Sequence, residues 1–257
     1  MKVVTFGSIK GGTGKSSIQL LVERALAKSG YKCLAIDLDT NNSTSSALKP
    51  KDLKEQDVTG SKNIASALLS DDKDISNCII HSNYPNIDII RNHVKITRVK
   101  FSLRLLKNKI EGSNFSDKYS FIFIDTPACY YDLHAMAYEA SDLIISPVNP
   151  VKFDLIPLVQ LGSNITEDTT DSAKNWHLFF NKVKPDSAVQ DEYFNLFSQK
   201  FPERIYDVKV PDTQKVRQCI DRKILVGKSQ DYLKLRSSIC KLASEIAGVE
   251  INPEENF

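Results

Sequence analysis

Little in this sequence is present in excess, and what is scarce excludes whole classes of protein. Net charge is nearly absent: 34 Lys and Arg face 32 Asp and Glu, a formal +2. That balance excludes a histone-like polycation and an acidic tail protein, and leaves open a local basic patch on an otherwise neutral surface. Cysteines are few, and Cys33, Cys78, Cys129, Cys219 and Cys240 are odd in number, scattered and without a C-x-x-C pair. They read as reduced thiols of a cytosolic protein, not as a disulfide framework. The four histidines, His81, His93, His134 and His177, lack metal-ligand spacing. No run approaches the roughly 18 consecutive apolar residues of a membrane span, and Val3-Val4-Thr5-Phe6 is too short for a signal-peptide core. No stable membrane insertion is therefore expected, and Met1 is taken as the start of the working protein. Internal repeats, low-complexity tracts and linkers are missing too.

What is present is a globular composition, 41% hydrophobic and 26% charged, with a strand and helix pattern that favours one domain over residues 1–257. Lys2 to Gly7 is a short β-rich run closed by glycine, Lys10 to Ser17 a glycine loop, and Ile18 to Ala27 an apolar-periodic helix. Ser29-Gly30 stops that helix, and Tyr31 to Ile36 runs as a second strand into Asp37-Leu38-Asp39. A strand–helix–strand unit of this kind makes the two strands parallel. Residues 41–63 are polar, broken by Pro50 and Gly60, and predict loops with one short helix at most. Short apolar runs follow at Cys78-Ile79-Ile80 and Ile87 to Ile90, then a helical pattern from Val94 to Ile110. Phe121 to Ile124, ending on Asp125, is almost wholly apolar, as a strand covered on both faces must be. Leu143 to Ile145 and His177 to Phe180 repeat the theme, and a last helix spans roughly Lys228 to Ala247. The expectation is an α/β fold, a mostly parallel twisted sheet with helices on both faces.

The chemistry gathers where strands end. Gly11, Gly12 and Gly14, with Thr13 among them, lie between a strand and a helix. There the missing Cβ lets backbone N–H groups turn around phosphate oxygens, and the helix N-terminus adds partial positive charge. Lys15 is placed to reach the β- and γ-phosphates, and the Ser16 hydroxyl to ligate Mg²⁺. The strict phosphate-loop pattern needs glycine where Ile9 stands; instead a second lysine, Lys10, opens the loop. Asp37, Asp39 and Asp125 lie at the carboxyl ends of their strands, the edge where open α/β sheets bind ligands. Asp125 has the setting of a carboxylate that holds a Mg²⁺-bound water.

The stretch Lys10 to Ser17 resembles the deviant Walker A loop of the ParA/MinD superfamily of P-loop ATPases. The resemblance implies ATP and Mg²⁺ as cofactors, with Lys10 reaching the phosphates of a partner subunit, Lys15 those of its own, Ser16 on Mg²⁺ and Ser17 near the α-phosphate. It implies that Asp39 positions the attacking water and that Asp37 supports the magnesium shell. Asp125-Thr126-Pro127 resembles the family's switch II, and Asn181 and Pro211, each following a late strand, would line the adenine pocket. Residues 141–148 are similar to the strand before the family's interface helix. Thr40-Asn41 and Ala128-Cys129 depart from the residues usual after the two carboxylate motifs, and residues 41–118 match nothing. Cys129 invites comparison with the cluster cysteine of nitrogenase-type iron proteins, but Cys78 lacks the context for a partner, so no cluster is expected.

Residues 209–241 hold nine Lys or Arg against three Asp, a net of +6. A basic face suits sequence-independent contact with DNA phosphates, and Lys215, Arg217, Arg222 and Lys223, which follow Pro211, are its tentative DNA-binding residues. Lys100, Arg104 and Lys107 form a second basic patch on the helix expected over Val94 to Ile110, opposite Val99, Leu103, Leu106 and Ile110. The whole resembles a slow ParA-type partition ATPase, a homodimer on ATP binding that grips non-specific DNA and answers to a ParB-like DNA-site-binding protein. It would be cytoplasmic and nucleoid-associated. The chain opens on its first strand, so no N-terminal helix-turn-helix is expected. Two alternatives stand beside this reading. A MinD-like ATPase, or another ParA-related positioning ATPase not acting on DNA, is one; the membrane-cycling form wants a basic amphipathic C-terminus, where this chain has Asn252-Pro253-Glu254-Glu255-Asn256-Phe257. The other is a metabolic ATP-dependent enzyme of the same fold, against which Lys10 argues.

Overall fold

Strand β1 (Lys2–Phe6) feeds a glycine loop and helix α1 (Lys15–Lys28), and the chain returns as β2 (Cys33–Asp37). These belong to a computed structural model that describes residues 1–48, 62–98, 102–128, 131–169, 175–222 and 228–252. Short helices α2 (Ser43–Leu48) and α3 (Ile64–Leu69) precede a small hairpin, β3 (Ile80–His81) and β4 (Ile87–Ile90). Then come α4 (Leu105–Gly112), β5 (Phe121–Asp125), α5 (Tyr131–Glu139), β6 (Leu143–Val148) and α6 (Lys152–Asp168). The last elements are β7 (Trp176–Val183), α7 (Ala188–Lys200), β8 (Ile205–Pro211), α8 (Lys215–Arg222) and α9 (Gln230–Ala247).

Among the described residues the strands form one eight-stranded sheet in the order β3-β4-β2-β5-β1-β6-β7-β8. All neighbours are parallel except β3, which runs antiparallel to β4. β1 and β2 are parallel as expected but not adjacent, because β5 lies between them.

The two-residue period of a strand divides the core. Cys33, Ala35, Phe121 and Phe123 face a cluster built with α1 and α9, through Leu21, Leu26, Leu235 and Ile239. Leu34, Ile36, Ile122 and Ile124 face the other way, onto α3, α4 and α5 through Leu68, Leu106 and Met136. Every residue of β5 is buried, which is why its sequence alternates between two kinds of hydrophobe instead of between apolar and polar.

Two expected elements differ. The helix predicted over Val94 to Ile110 is a 3₁₀ turn at Val94–Arg98 and a separate α4 starting at Leu105, with Arg104 as its N-cap. Lys100 and Val99 lie outside the described residues, and Arg104 and Lys107 approach the buried Glu139 carboxylate of α5, each at 3.8 Å. The second basic patch is therefore not a free helix face: two of its cations lie against an acid on the neighbouring helix. The run Cys78-Ile79-Ile80 is divided: Cys78 ends a 3₁₀ turn, Ser76–Cys78, Ile79 caps it, and only Ile80 enters β3.

Candidate functional site

The register of the sheet brings three strand ends to one level. Phe6 pairs with Asp125, and Asp125 with Asp37, so the glycine loop leaves β1 beside two carboxylates. Gly12 and Gly14 take φ of 77° and 97°, left-handed values that glycine adopts without strain. Gly14 caps α1, and a Cβ there would lie 2.3 Å from Asn181 Nδ2. Lys15 is the first residue of α1 and is buried, Ser16 and Ser17 are half-buried, and Gly11 is exposed. The loop is held from outside itself: Asn181 Nδ2 donates to Thr13 O and Lys182 Nζ to Gly12 O, both at 2.7 Å.

Asp37 is fully buried. Its Oδ1 accepts from the Asp39 amide at 2.9 Å, and its Oδ2 from the Ser45 amide and hydroxyl at 2.8 and 2.5 Å. β2 ends at Asp37, so Asp39 has already left the sheet; its Oδ1 accepts from the Asn41 amide at 2.9 Å. Asp125 Oδ2 accepts from the Thr44 hydroxyl at 2.8 Å, while its Oδ1 is buried with no hydrogen-bond partner. Burial first, and repulsion from Asp125 second, push the Asp37 carboxyl up from its ordinary range. Burial also raises Asp125, against the Ser16 and Thr44 hydroxyls and the Lys15 ammonium. With only the Lys15 ammonium to set against two buried carboxylates, the site has room for further positive charge, which a Mg²⁺ carried on phosphates would supply. The residues present fit that ion: Ser16 and Asp125 would hold it, with Asp37 behind.

Lys10, at the entrance to the loop, is engaged within the chain. Its ammonium pairs with Asp154 Oδ1 at the start of α6, and Asp154 Oδ2 accepts from the Asn149 amide at 3.1 Å. In the single chain, the second loop lysine is thus paired with an acid of the same chain. Asn181 does not follow its strand but lies inside β7, and its side chain is on the loop backbone. Pro211 closes β8 and lines a cleft of about 530 Å³ with Val183, Thr213, Asp231 and Leu233. The Asp212 amide donates to Val183 O at 2.9 Å, so the ends of β7 and β8 meet at that cleft.

The segment after Asp125 is tied down twice. Thr126 Oγ1 donates to Phe6 O at 3.0 Å, and the buried His134 ring bonds Pro127 O through Nε2. Burial pushes His134 down to about 4, so at neutral pH it is uncharged and Nε2 carries its proton as the donor to that carbonyl. Cys129 lies outside the described residues. Sequence reading missed Thr44, Ser45, His134, Asp154 and Lys182; only the run Ser43-Thr44-Ser45-Ser46 after the second carboxylate motif carried a local signal for any of them.

Of the tentative DNA-binding residues, three fall on α8 and Lys223 is outside the described residues. Arg217 is highly exposed, with Asp221 at 3.7 Å. Lys215 folds down, its Nζ 3.2 Å from Gln218 Oε1 and 5.0 Å from the centre of the Tyr232 ring. Arg222 ends the helix. No helix among the described residues is long and apolar enough to cross a membrane.

A family profile described as an AAA domain matches residues 1–178. An uncharacterized ATP-binding protein of Methanocaldococcus jannaschii is 26% identical over 258 residues, covering 99% of this chain and 91% of that protein. The chromosome partitioning protein ParA of Caulobacter vibrioides is 21% identical, over 93% of this chain and 94% of that one. The solved structure of a putative plasmid partition protein from Borrelia burgdorferi bound to AMPPNP superposes with a TM-score of 0.76 at 22% identity, over 95% of this chain and 99% of that chain. At that identity the superposition shows a shared fold.

Proposed function

The chain belongs to the ParA/MinD superfamily of P-loop ATPases, with an AAA domain over residues 1–178, and from that premise we propose that it is a single-domain ParA-type partition ATPase. It dimerises around Mg²⁺-ATP, holds DNA without sequence preference and resets on hydrolysis. One observation carries this reading: a glycine loop flanked by Lys10 and Lys15 leaves β1 at the level where Asp37 and Asp125 end their strands.

The residues divide the work. The amides of Gly11 to Ser17 and the Lys15 ammonium bind the phosphates, aided by the α1 N-terminus. A bound Mg²⁺ would supply charge neutralisation of the β- and γ-phosphates. Asp37 holds the Asp39 backbone through its amide, and Asp39 orients the attacking water. Lys10 exchanges Asp154 for a phosphate of the opposing subunit. Asn181 and Pro211 border the base. Lys215, Arg217, Arg222 and Lys223 contact DNA phosphates, and a ParB-like protein is the stimulating partner. A cytoplasmic, nucleoid-associated protein follows from that cycle.

The test is DNA retention with and without ATP at two salt concentrations. Asp39→Ala is expected to keep ATP, dimerise and hold DNA, while Lys15→Ala does none of these. Lys10→Ala binds nucleotide without forming the ATP-dependent dimer. DNA binding falls steeply with salt, because each neutralised phosphate adds close to one unit to the logarithmic slope. Equal retention by Asp39→Ala and Lys15→Ala, or no retention by wild type at low salt, would sink the DNA-switch reading.

A further inference from the structure

Lys182 belongs to none of the motifs above, yet it sits in a strained part of the fold and touches the phosphate loop. From Phe180 to Val183, β7 takes three steps while β8 takes two, from Lys209 to Pro211. The extra residue makes a bulge. Within it Lys182 has φ of 55°, in the left-handed region, a conformation that costs a non-glycine residue of order 1 kcal/mol and persists where the surroundings over-determine it. The surroundings here are the buried Gln190 of α7. Its Nε2 donates to Lys182 O at 3.2 Å, and its Oε1 accepts from the Lys184 amide at 2.8 Å. So fixed, the bulge delivers two successive side chains to two successive loop carbonyls: Asn181 to Thr13 O and Lys182 to Gly12 O, both at 2.7 Å.

We propose that this bulge is a clamp on the phosphate loop and that Lys182 is a positioning residue for nucleotide binding. The reason lies in the peptide unit. In a planar trans peptide the C=O of one residue and the N–H of the next point in opposite directions. Holding Gly12 O towards Lys182 turns the Thr13 N–H away from it, and holding Thr13 O towards Asn181 does the same for the Gly14 N–H. Two carbonyls pulled outward leave two amides turned the other way, the arrangement that makes an anion-binding nest. The two flanking glycines, Gly12 and Gly14, have left-handed φ and little intrinsic reason to hold one peptide orientation, so an external hold is what pre-organises them. Pre-organisation of a binding loop appears as affinity.

This inference rests on the nucleotide-binding reading, and its test separates the two. Glycine is the informative replacement, since it keeps the left-handed backbone while deleting the side chain and its ammonium. Lys182→Gly is expected to melt within a few degrees of wild type without nucleotide, relief of backbone strain offsetting the added chain entropy. A fluorescent ADP analogue titrated with Mg²⁺ is expected to bind it about three- to fivefold more weakly, the upper part of the range for an exposed charge-assisted hydrogen bond. Lys182→Arg, which restores a donor, is expected to bind within about twofold of wild type. Equal affinity of wild type and Lys182→Gly would overturn the clamp while leaving the nucleotide reading intact. Failure of the wild type to bind the analogue would overturn that reading and the clamp with it. A Lys182→Arg variant as weak as Lys182→Gly also counts against a positioning role.

Discussion

Glu23 on α1 is the residue whose replacement has the most calculable outcome. Its side chain is fully buried; Gln19 Nε2 donates to Oε1 at 2.8 Å, and Oε2 is buried without a hydrogen-bond partner. Burial pushes its carboxyl up from 4.5 to about 8, with the Gln19 hydrogen bond opposing and Asp125 reinforcing. The folded protein therefore keeps this proton at pH values where the unfolded chain has lost it. The contribution of neutral Glu23 is fully present below pH 4.5 and is lost as the pH rises towards about 8. At 1.36 kcal/mol per unit, the upper limit of that loss is about 5 kcal/mol, and a water reaching Oε2 reduces it to ~1–3 kcal/mol. Glu23→Gln is neutral at every pH, nearly isosteric, and able to accept the Gln19 hydrogen bond through its own carbonyl. Urea unfolding without nucleotide is expected to give the two proteins similar stability near about pH 5, with the variant ahead by ~1–3 kcal/mol near about pH 8.5. The difference between the proteins is the quantity to follow, since other buried groups titrate in both. A difference that stays constant across that range, or a variant that is the weaker protein at the alkaline end, would refute the argument.

Two further outcomes concern the loop. Gly14→Ala brings a Cβ to within 2.3 Å of Asn181 Nδ2 at a φ of 97°; it should destabilise the fold by ~1–3 kcal/mol and weaken nucleotide binding at least tenfold, seen by melting and by titration of a fluorescent nucleotide. Asp154→Asn releases Lys10 but keeps an acceptor for the Asn149 amide. With the Lys10 side chain 37% exposed, the lost pair is worth under about 1 kcal/mol, so melting should barely change while the ATP-dependent dimer forms at lower ATP on size-exclusion chromatography. A higher ATP requirement would speak against the release.

The parts of the site that are legible in the sequence are those where a chemical signal and a structural one coincide. An apolar run that stops on glycine or aspartate announces both a strand and the point where it ends, so β1, β2 and β5 and the places of Lys15, Asp37 and Asp125 are readable together. Residues 94–110 show the opposite case. Leu106 and Ile110 are buried, but Val94 is 69% and Leu103 42% exposed. A 3.6-residue period counted across them joins two separate short elements, a 3₁₀ turn and a helix. The bulge at Asn181 and Lys182 has no local signature, because the extra residue is defined only against β8. Asp154 pairs with Lys10 across 144 positions, and an acid in the first turn of a helix has a sufficient local explanation in the helix dipole.

On the proposed reading, the single chain is electrically unfinished in two places, and the two are linked. Asp125 Oδ1 lacks a donor, and Lys10 is occupied by a carboxylate of its own chain. Asp154 is buried, but the Lys10 side chain keeps 37% of its surface in water, and that access to solvent holds the pair's contribution to about 1 kcal/mol, so Lys10 leaves it for a partner with more negative charge than one carboxylate. The γ-phosphate of ATP in an opposing subunit is such a partner; ADP presents less charge, and farther away. The weakness of the Lys10–Asp154 pair therefore lets dimerisation depend on the state of the nucleotide. A pair with both partners buried in its place would cost several kcal/mol to break and would hold the lysine in either state. A switch needs differential affinity between its two conformations and not tight binding in one, and a resting contact this weak leaves that difference to the nucleotide.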